Sequence, residues 1–203
     1  MEIRPFKAYR YNKDVVDDIG SCISPPYDVI DKAQQDELYN KSENNIVRVI
    51  LGKESDGDAE DNNKYTRAAG YLNEWIEKEI LKQDDKDSMY IYLQSYEALG
   101  NNYQRFTLIA EGKMEPFGKT VRPHEHTLSD PIADRLKLNT VTSAKFGLVF
   151  MLYDDPKCVA DKIIEKNIQA GPEVDFTDEN NVTHSLFVIS DDSEIEQIRE
   201  MMA

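Results

Sequence analysis

The chain has 203 residues, of which 40% are hydrophobic and 31% are charged, and its formal net charge is -15. This balance is typical of a soluble globular protein, and the acidity argues against a nucleic-acid or anionic-membrane surface because both need a cationic footprint. No apolar run approaches the roughly 18 residues of a membrane span, and the N-terminus lacks the apolar core of a signal peptide. We therefore expect a cytoplasmic protein with neither nucleic-acid nor membrane partners.

The N-terminal region predicts a short strand followed by a rigid turn. Ile3–Tyr11 alternates loosely and is typical of an edge strand. Pro25 and Pro26 then restrict the backbone, so that Tyr27 and Asp28 are presented with little conformational freedom. Such a turn suits a binding site, and it equally suits a plain buried turn in which Asp28 caps the helix that follows.

The next stretches predict a helix, a strand and a longer helix. Asp31–Tyr39 is helical in pattern, with Asp31 as a possible N-cap. Ile46–Leu51 is rich in β-branched residues and predicts a buried strand that ends at Gly52. After a polar loop, apolar residues at helical spacing predict a helix over Ala59–Leu81.

A hairpin is predicted in the middle of the chain. Ser88–Ala98 and Tyr103–Lys113 alternate and are joined by L-G-N-N, which has good turn chemistry. Tyr90, Tyr92 and Tyr96 share one face of the first strand. That face fits either packing against a helix or the stacking of a base.

The second half of the chain continues the interleaving of strands and helices. The patterns predict a helix that starts at Ser129 or Asp130, followed by a central strand over Phe146–Tyr153 and a helix over Lys157–Gln169. A hairpin of Glu173–Asp178 with Val182–Ser190 and a last helix over Asp191–Met202 complete the chain. The expected fold class is therefore α+β, with a mixed sheet and hairpins packed by four to five helices in a single domain over residues 1–203.

The richest chemistry lies just before the helix that starts near Ser129. His124 and His126 flank Glu125, and in an extended segment the two histidines share a face. A metal site there would need further ligands from His184 and from an aspartate, since zinc takes three or four protein ligands. We predict no metal site.

The same stretch fits a site for proton transfer or for an anion. His124 or Glu125 fits a general acid–base, and Arg135 on the following helix suits bidentate recognition of phosphate or carboxylate. Amides at the start of that helix add an anion site. The alternative is a proline-anchored loop whose polar side chains satisfy backbone groups.

An ordered series of motifs resembles domain-of-unknown-function family 1015 over nearly the whole chain. The specific marks are P-P-Y-D-V and H-E-x-T followed by D-R-L, accompanied by I-R-P-F, N-N-I-V-R-V-I-L-G, F-M-L-Y-D-D and T-H-S-L-F-V-I-S-D. Phe187 stands where the family usually has Trp. Family members carry a further D-G-H-H-R-Y segment, so the resemblance implies the N-terminal half of a longer architecture.

The resemblance also implies a function, because the family is linked by similarity to kinases of free serine. It implies the N-terminal part of an ATP-dependent kinase that phosphorylates a small hydroxyl substrate, with ATP and Mg²⁺ as cofactors, and it leaves open whether this half is active by itself. Three residues would be catalytic, namely Asp28, His124 and Glu125. Three would contact substrate or phosphate, namely Tyr27, Thr127 and Arg135. The alternative is a non-catalytic regulatory module that binds an anion or another small ligand.

Overall fold

The computed structural model describes residues 1–123 and 129–203. In this part of the chain the strands are β1 (Ile3–Arg4), β2 (Tyr9–Tyr11), β3 (Leu81–Gln83), β4 (Met89–Ala98), β5 (Asn101–Ile109), β6 (Glu111–Gly112), β7 (Val174–Thr177) and β8 (Thr183–Ile189). The helices are α1 (Lys32–Lys41), α2 (Val47–Ile50), α3 (Lys64–Glu77), α4 (Ser129–Thr142), α5 (Val159–Ile168) and α6 (Asp192–Met202). The predicted α+β class is confirmed.

The described residues fall into two compact units. The first contains residues 1–9, 83–123 and 151–203, and the second contains residues 10–82 and 129–150. The single domain over residues 1–203 stays a prediction.

The first unit is built on a four-stranded sheet in the order β5-β4-β8-β7. Its strand pairs are all antiparallel, so the expectation of a mixed sheet is wrong here. Two hairpins, β4–β5 and β7–β8, meet edge to edge, and hairpins impose antiparallel neighbours. Apolar residues of the sheet and of helices α5 and α6 form its core, including Met89, Ile91, Ile189, Ile163 and Ile198.

The second unit is mainly helical. Helix α3 presents Ala68, Leu72 and Trp75 to a core that also contains Val49 of α2 and Leu138 of α4. The helix begins later than predicted because a capping box at Asn63 satisfies its first amides, which removes the preceding polar residues from the helix.

Two predicted strands are absent from the described structure. The stretch predicted as the strand Ile46–Leu51 contains the short helix α2 instead. The side-chain oxygen of Asn45 accepts a hydrogen bond from the amide of Val47 at 2.9 Å, which favours a helical turn. The intrinsic preference of β-branched residues for strands contributes less free energy than this hydrogen bond together with the burial of Val47 and Val49.

The second absent strand is the predicted central strand Phe146–Tyr153. Those residues have no regular secondary structure, and most of their apolar side chains are exposed. A continuous apolar run indicates a preference for burial, but a strand also needs a neighbour for its backbone hydrogen bonds.

No helix among the described residues is both long enough and apolar enough to cross a membrane.

Candidate functional site

The double-proline segment forms a short 3₁₀ turn over Tyr27–Val29 that leads directly into α1. Asp31 caps that helix by accepting a hydrogen bond from the amide of Gln34 at 2.8 Å. Asp28 therefore does not cap the helix, and it lies exposed at the surface. Ile30, two positions on, is buried and anchors the turn.

Helix α4 brings Arg135 against this turn. The guanidinium carbon of Arg135 lies 3.9 Å from the centroid of the Tyr27 ring, which is a cation–π contact. Its Nη1 donates to the carbonyl oxygen of Ile50 at 2.7 Å, and its Nε donates to a carboxylate oxygen of Asp134 at 2.9 Å. Arg135 thus joins three segments that are distant in sequence.

Asp134 accepts hydrogen bonds from three neighbours. The hydroxyl of Tyr65 donates to it at 2.7 Å, the ammonium of Lys64 lies 3.2 Å away, and Arg135 donates through two nitrogens. Burial alone would raise the pKa of Asp134, but these three partners outweigh burial and lower the pKa to about 2. A carboxylate this acidic is a fixed acceptor and a poor general base.

Lys64 supplies the second cation of this cluster from the first turn of α3. Its ammonium also lies 2.9 Å from the carboxylate of Glu54. Partial burial opposes the charge, while Glu54 and Asp134 favour it strongly enough to raise the pKa of Lys64. We call Tyr27, Lys64, Tyr65, Asp134 and Arg135 the Arg135 cluster.

The Arg135 cluster borders a small cavity between α2, α3 and α4. The cavity has a volume of about 10 Å³ and is lined by residues that include Gly52, Lys64, Tyr65, Arg135 and Leu138. This is close to the space of one water molecule, so a larger ligand would meet the cluster from its solvent side. The charged side chains are reachable there, because Lys64, Asp134 and Arg135 are each about one-quarter exposed.

Arg135 retains hydrogen-bonding capacity for a ligand. A guanidinium carries five N–H groups, and three hydrogen bonds of Arg135 are made by Nε, Nη1 and Nη2. Among the described residues, one N–H on each terminal nitrogen therefore has no acceptor. Two parallel N–H groups on one guanidinium match the oxygen spacing of a phosphate or carboxylate.

The structure brings together two of the six residues predicted for the site, Tyr27 and Arg135. Asp28 follows Tyr27 in the same turn. His124, Glu125 and Thr127 lie outside the described residues. Lys64 and Tyr65 were not predicted, and only the Asn63 cap that opens α3 marks their position in the sequence.

His184 lies in the first unit, in the middle of β8. The hydroxyl of Tyr92 is 2.6 Å from its Nδ1, and a carboxylate oxygen of Asp178 is 3.3 Å from its Nε2. Its ring also stacks on Phe176 with a centroid separation of 4.9 Å. Both ring nitrogens are thus engaged within the unit, as expected of a half-buried, satisfied histidine.

Among residues 1–123 and 129–203, no group of three or more His, Cys, Asp or Glu side chains has an arrangement that could hold a metal ion.

Comparison with known proteins identifies the family. The family model described as protein of unknown function (DUF1015) matches residues 3–203, which is nearly the whole chain. No curated protein and no solved structure gave a match. Because the family model covers almost every residue, the chain belongs to the DUF1015 family of proteins of unknown function.

Proposed function

We propose that the chain is the anion-binding part of an ATP-dependent phosphotransferase that acts on a small hydroxyl substrate resembling free serine. The observation that carries this proposal is the contact between Tyr27 and Arg135. Tyr27 belongs to one of the two most specific family motifs and Arg135 to the other, and the fold of the second unit brings these two residues together. Distant motifs that meet at a charged, solvent-reachable cluster are typical of a functional site.

The Arg135 cluster supplies two cations to one small region of surface. Arg135 offers N–H donors that have no acceptor among the described residues, and Lys64 adds a point charge. Phosphoryl transfer depends mainly on positioning and on stabilising negative charge, which these groups are suited to provide. In this proposal Arg135 and Lys64 contact phosphate oxygens, and Tyr27 holds the guanidinium in place.

The acid–base roles in the proposal come from the family resemblance. Asp28 is exposed beside Tyr27, where its carboxylate is able to orient or deprotonate a hydroxyl. His124 and Glu125 precede α4 in the chain and are proposed for the same step, with Thr127 as a phosphate contact. Asp134 has no part in proton transfer because its pKa is about 2.

The residues of the Arg135 cluster fit a phosphate group better than a whole nucleotide. The adjoining cavity of about 10 Å³ encloses no more than a water-sized group, so it does not enclose an adenine or a ribose. ATP would be held at this cluster through its phosphates only. Mg²⁺ would neutralise phosphate charge when bound, and we assign it no ligands from this chain.

A second candidate function is a non-catalytic module that binds an anion and regulates another protein. The observation that favours it is the pairing of both cations with Asp134, which already neutralises part of their charge. Because the net positive charge of the cluster is small, we expect a carboxylate or phosphate to bind weakly and to exchange readily with water. No general base is required for this function.

The two candidates differ in turnover. We would incubate the protein with labelled ATP, Mg²⁺ and serine and follow the transfer of the terminal phosphate by mass spectrometry. If the chain is part of a phosphotransferase, we expect phosphoserine to form, and we expect its rate of formation to fall by at least tenfold in Asp28→Asn and in Glu125→Gln. The control Glu60→Gln removes an exposed carboxylate in a loop and should leave the rate unchanged.

Binding would be measured separately by thermal shift with pyrophosphate, ATP and serine. Stabilisation by pyrophosphate that is lost in Arg135→Lys, without phosphoserine formation by the wild-type protein, would favour the regulatory module. Arg135→Lys keeps the charge but loses the paired N–H geometry, so it isolates that geometry. Absence of both stabilisation and turnover would contradict both functions.

A further inference from the structure

A six-residue apolar segment, Leu148–Tyr153, lies exposed on the described surface. Each of its side chains is between 39% and 87% exposed, and Leu148, Val149 and Leu152 each exceed 70%. We call these residues the apolar segment. Exposed apolar residues are ordinary when scattered, but six consecutive ones form a continuous patch that soluble monomers rarely show.

The backbone of the apolar segment is unpaired as well. It belongs to no strand or helix, and it makes no backbone hydrogen bond within the part of the chain that the structure describes. Its sequence has the composition of a strand buried on both faces, since apolar residues occupy odd and even positions alike. Such a segment is stabilised by adding to the edge of an existing sheet.

The first unit offers an edge of that kind. Strand β5 lies at one end of the four-stranded sheet, is nine residues long and pairs only with β4 in the described structure. It contains no proline, and its one charged side chain, Arg105, is hydrogen-bonded to Gln94. A long edge strand without proline and with a single charge has few of the features that block the addition of another strand.

Apolar side chains flank this edge on both faces of the sheet. Tyr103 and Phe106 are separated by an odd number of positions and so point to opposite faces, and both are exposed by more than 40%. A strand that is apolar on both faces would therefore meet aromatic neighbours on each. The six residues of the apolar segment fit within the nine of β5, and both have backbone groups that lack partners in the described structure.

We infer that the apolar segment of one copy of this chain pairs with the outer edge of β5 in a second copy. Reciprocal pairing through a twofold axis would satisfy both segments and both edges at once. The inference concerns self-association and does not depend on phosphotransfer.

The exposed area is large enough for a stable dimer. From the exposed fractions, the apolar segment presents on the order of 600 Å² per copy. Two segments would bury about 1,200 Å² before the β5 surfaces are counted, which reaches the range of specific interfaces. Charged residues lie on both sides of the apolar segment, Lys145 shortly before it and Asp154 directly after it. Because charges oppose burial in an interface, they limit the pairing to the apolar residues.

The test compares oligomeric state between matched double variants by analytical ultracentrifugation at micromolar concentrations. Leu148→Lys with Leu152→Lys places two charges on one face of the apolar segment at positions that are already exposed, so the fold should be preserved. The control, Met114→Lys with Phe117→Lys, makes the same chemical change at two exposed apolar residues outside the apolar segment. Circular dichroism would verify that both variants are folded.

We expect a wild-type dimer, a control dimer and a monomeric apolar-segment variant whose dissociation constant rises at least tenfold. Phe106→Lys at the acceptor edge should weaken the dimer in the same way. A monomeric wild-type protein, a dimer that survives in the apolar-segment variant, or open-ended aggregates in place of a dimer would overturn the inference. A dimer unaffected by Phe106→Lys would overturn the assignment of the acceptor to β5.

Discussion

The guanidinium carbon of Arg135 lies 3.9 Å from the centroid of the Tyr27 ring, and this contact joins the double-proline turn to helix α4. The same guanidinium donates to the carbonyl of Ile50, so it also holds the end of α2. One side chain thereby positions the two segments on which the proposed function depends.

The contact between Tyr27 and Arg135 should be measurable as a coupling energy. In a double-mutant cycle with Tyr27→Leu and Arg135→Met, we expect a coupling of about 0.5–2 kcal/mol in the free energy of unfolding, because a partly desolvated cation–π pair falls in that range. Urea denaturation would supply the four values. Tyr27→Phe is the control, since it keeps the ring. Additive effects of the two substitutions would contradict the contact.

Asp134 should make the second unit sensitive to acid. Its pKa is lowered from 3.8 to about 2 in the folded protein, so its ionised form stabilises the fold above pH 4 by on the order of 2 kcal/mol. This contribution is lost as the pH falls through the folded pKa. The stability difference between the wild-type protein and Asp134→Asn should therefore be full at pH 7 and shrink between pH 4 and pH 2.

The pH dependence would be followed by chemical denaturation at several pH values. Asp17→Asn removes an exposed carboxylate and serves as the control for the loss of one negative charge. A difference between wild type and Asp134→Asn that stays constant from pH 7 to pH 2 would show that the carboxylate does not have these partners.

The hydrogen bond between Tyr92 and His184 should stabilise the sheet of the first unit. Burial raises the pKa of the Tyr92 hydroxyl. This hydroxyl donates to Nδ1 of His184, because Nε2 of the same ring faces the carboxylate of Asp178, a group that only accepts. Tyr92→Phe leaves that nitrogen without its donor and should cost about 1–3 kcal/mol. Tyr96→Phe, on the same strand, is the matched control and should cost less. Thermal denaturation would separate the two.

The contact with Asp178 assigns a tautomer to His184. Because a carboxylate only accepts, the proton of the neutral imidazole lies on Nε2, 3.3 Å from Asp178, and Nδ1 accepts from Tyr92. Nitrogen-15 NMR of the imidazole should show the Nε2-protonated form at neutral pH. The Nδ1-protonated form would contradict the donor assigned to Tyr92.

Asn45 should be among the most sensitive polar residues of the second unit. It is fully buried, and its amide donates to the carbonyls of Ser21 and Ile23 at 2.8 Å each while its oxygen accepts from Val47. Asn45→Ala leaves the buried Val47 amide and the two partly buried carbonyls unpaired, and it should cost about 3 kcal/mol or more.

Two measurements would test the role of Asn45. Urea denaturation should show the large loss for Asn45→Ala and almost none for Asn180→Ala, an exposed asparagine in a turn. Binding of pyrophosphate should also weaken in Asn45→Ala, because Asn45 holds the chain just before the double-proline turn. An effect as small as that of Asn180→Ala would contradict the hydrogen bonds described for Asn45.

Local chemistry made much of the fold predictable. Asp31 and Asp191 cap the helices that follow them, and the L-G-N-N turn joins β4 to β5, as the sequence indicates. These features depend on residues a few positions apart, so the sequence alone carries the information. The five predicted helices are present for the same reason, with boundaries that shift by a few residues.

The predicted site depended on contacts that no local pattern encodes. The meeting of Tyr27 with Arg135 was expected only through the family resemblance, and the roles of Lys64 and Tyr65 were not expected at all. These two side chains reach Asp134 because α3 packs on α4. Packing between helices follows from the burial of whole faces, which the spacing of individual polar residues does not reveal.

The sequence by itself determined the acidic character of the chain, its α+β class, its hairpins and its helix starts, because each arises from composition or from neighbours in the chain. Only the tertiary structure decided that Ile46–Leu51 would contain a helix and that Phe146–Tyr153 would have no strand. The physical reason is common to both. A short apolar run prefers burial in either conformation, and the hydrogen-bond partners available around it select the backbone that it adopts.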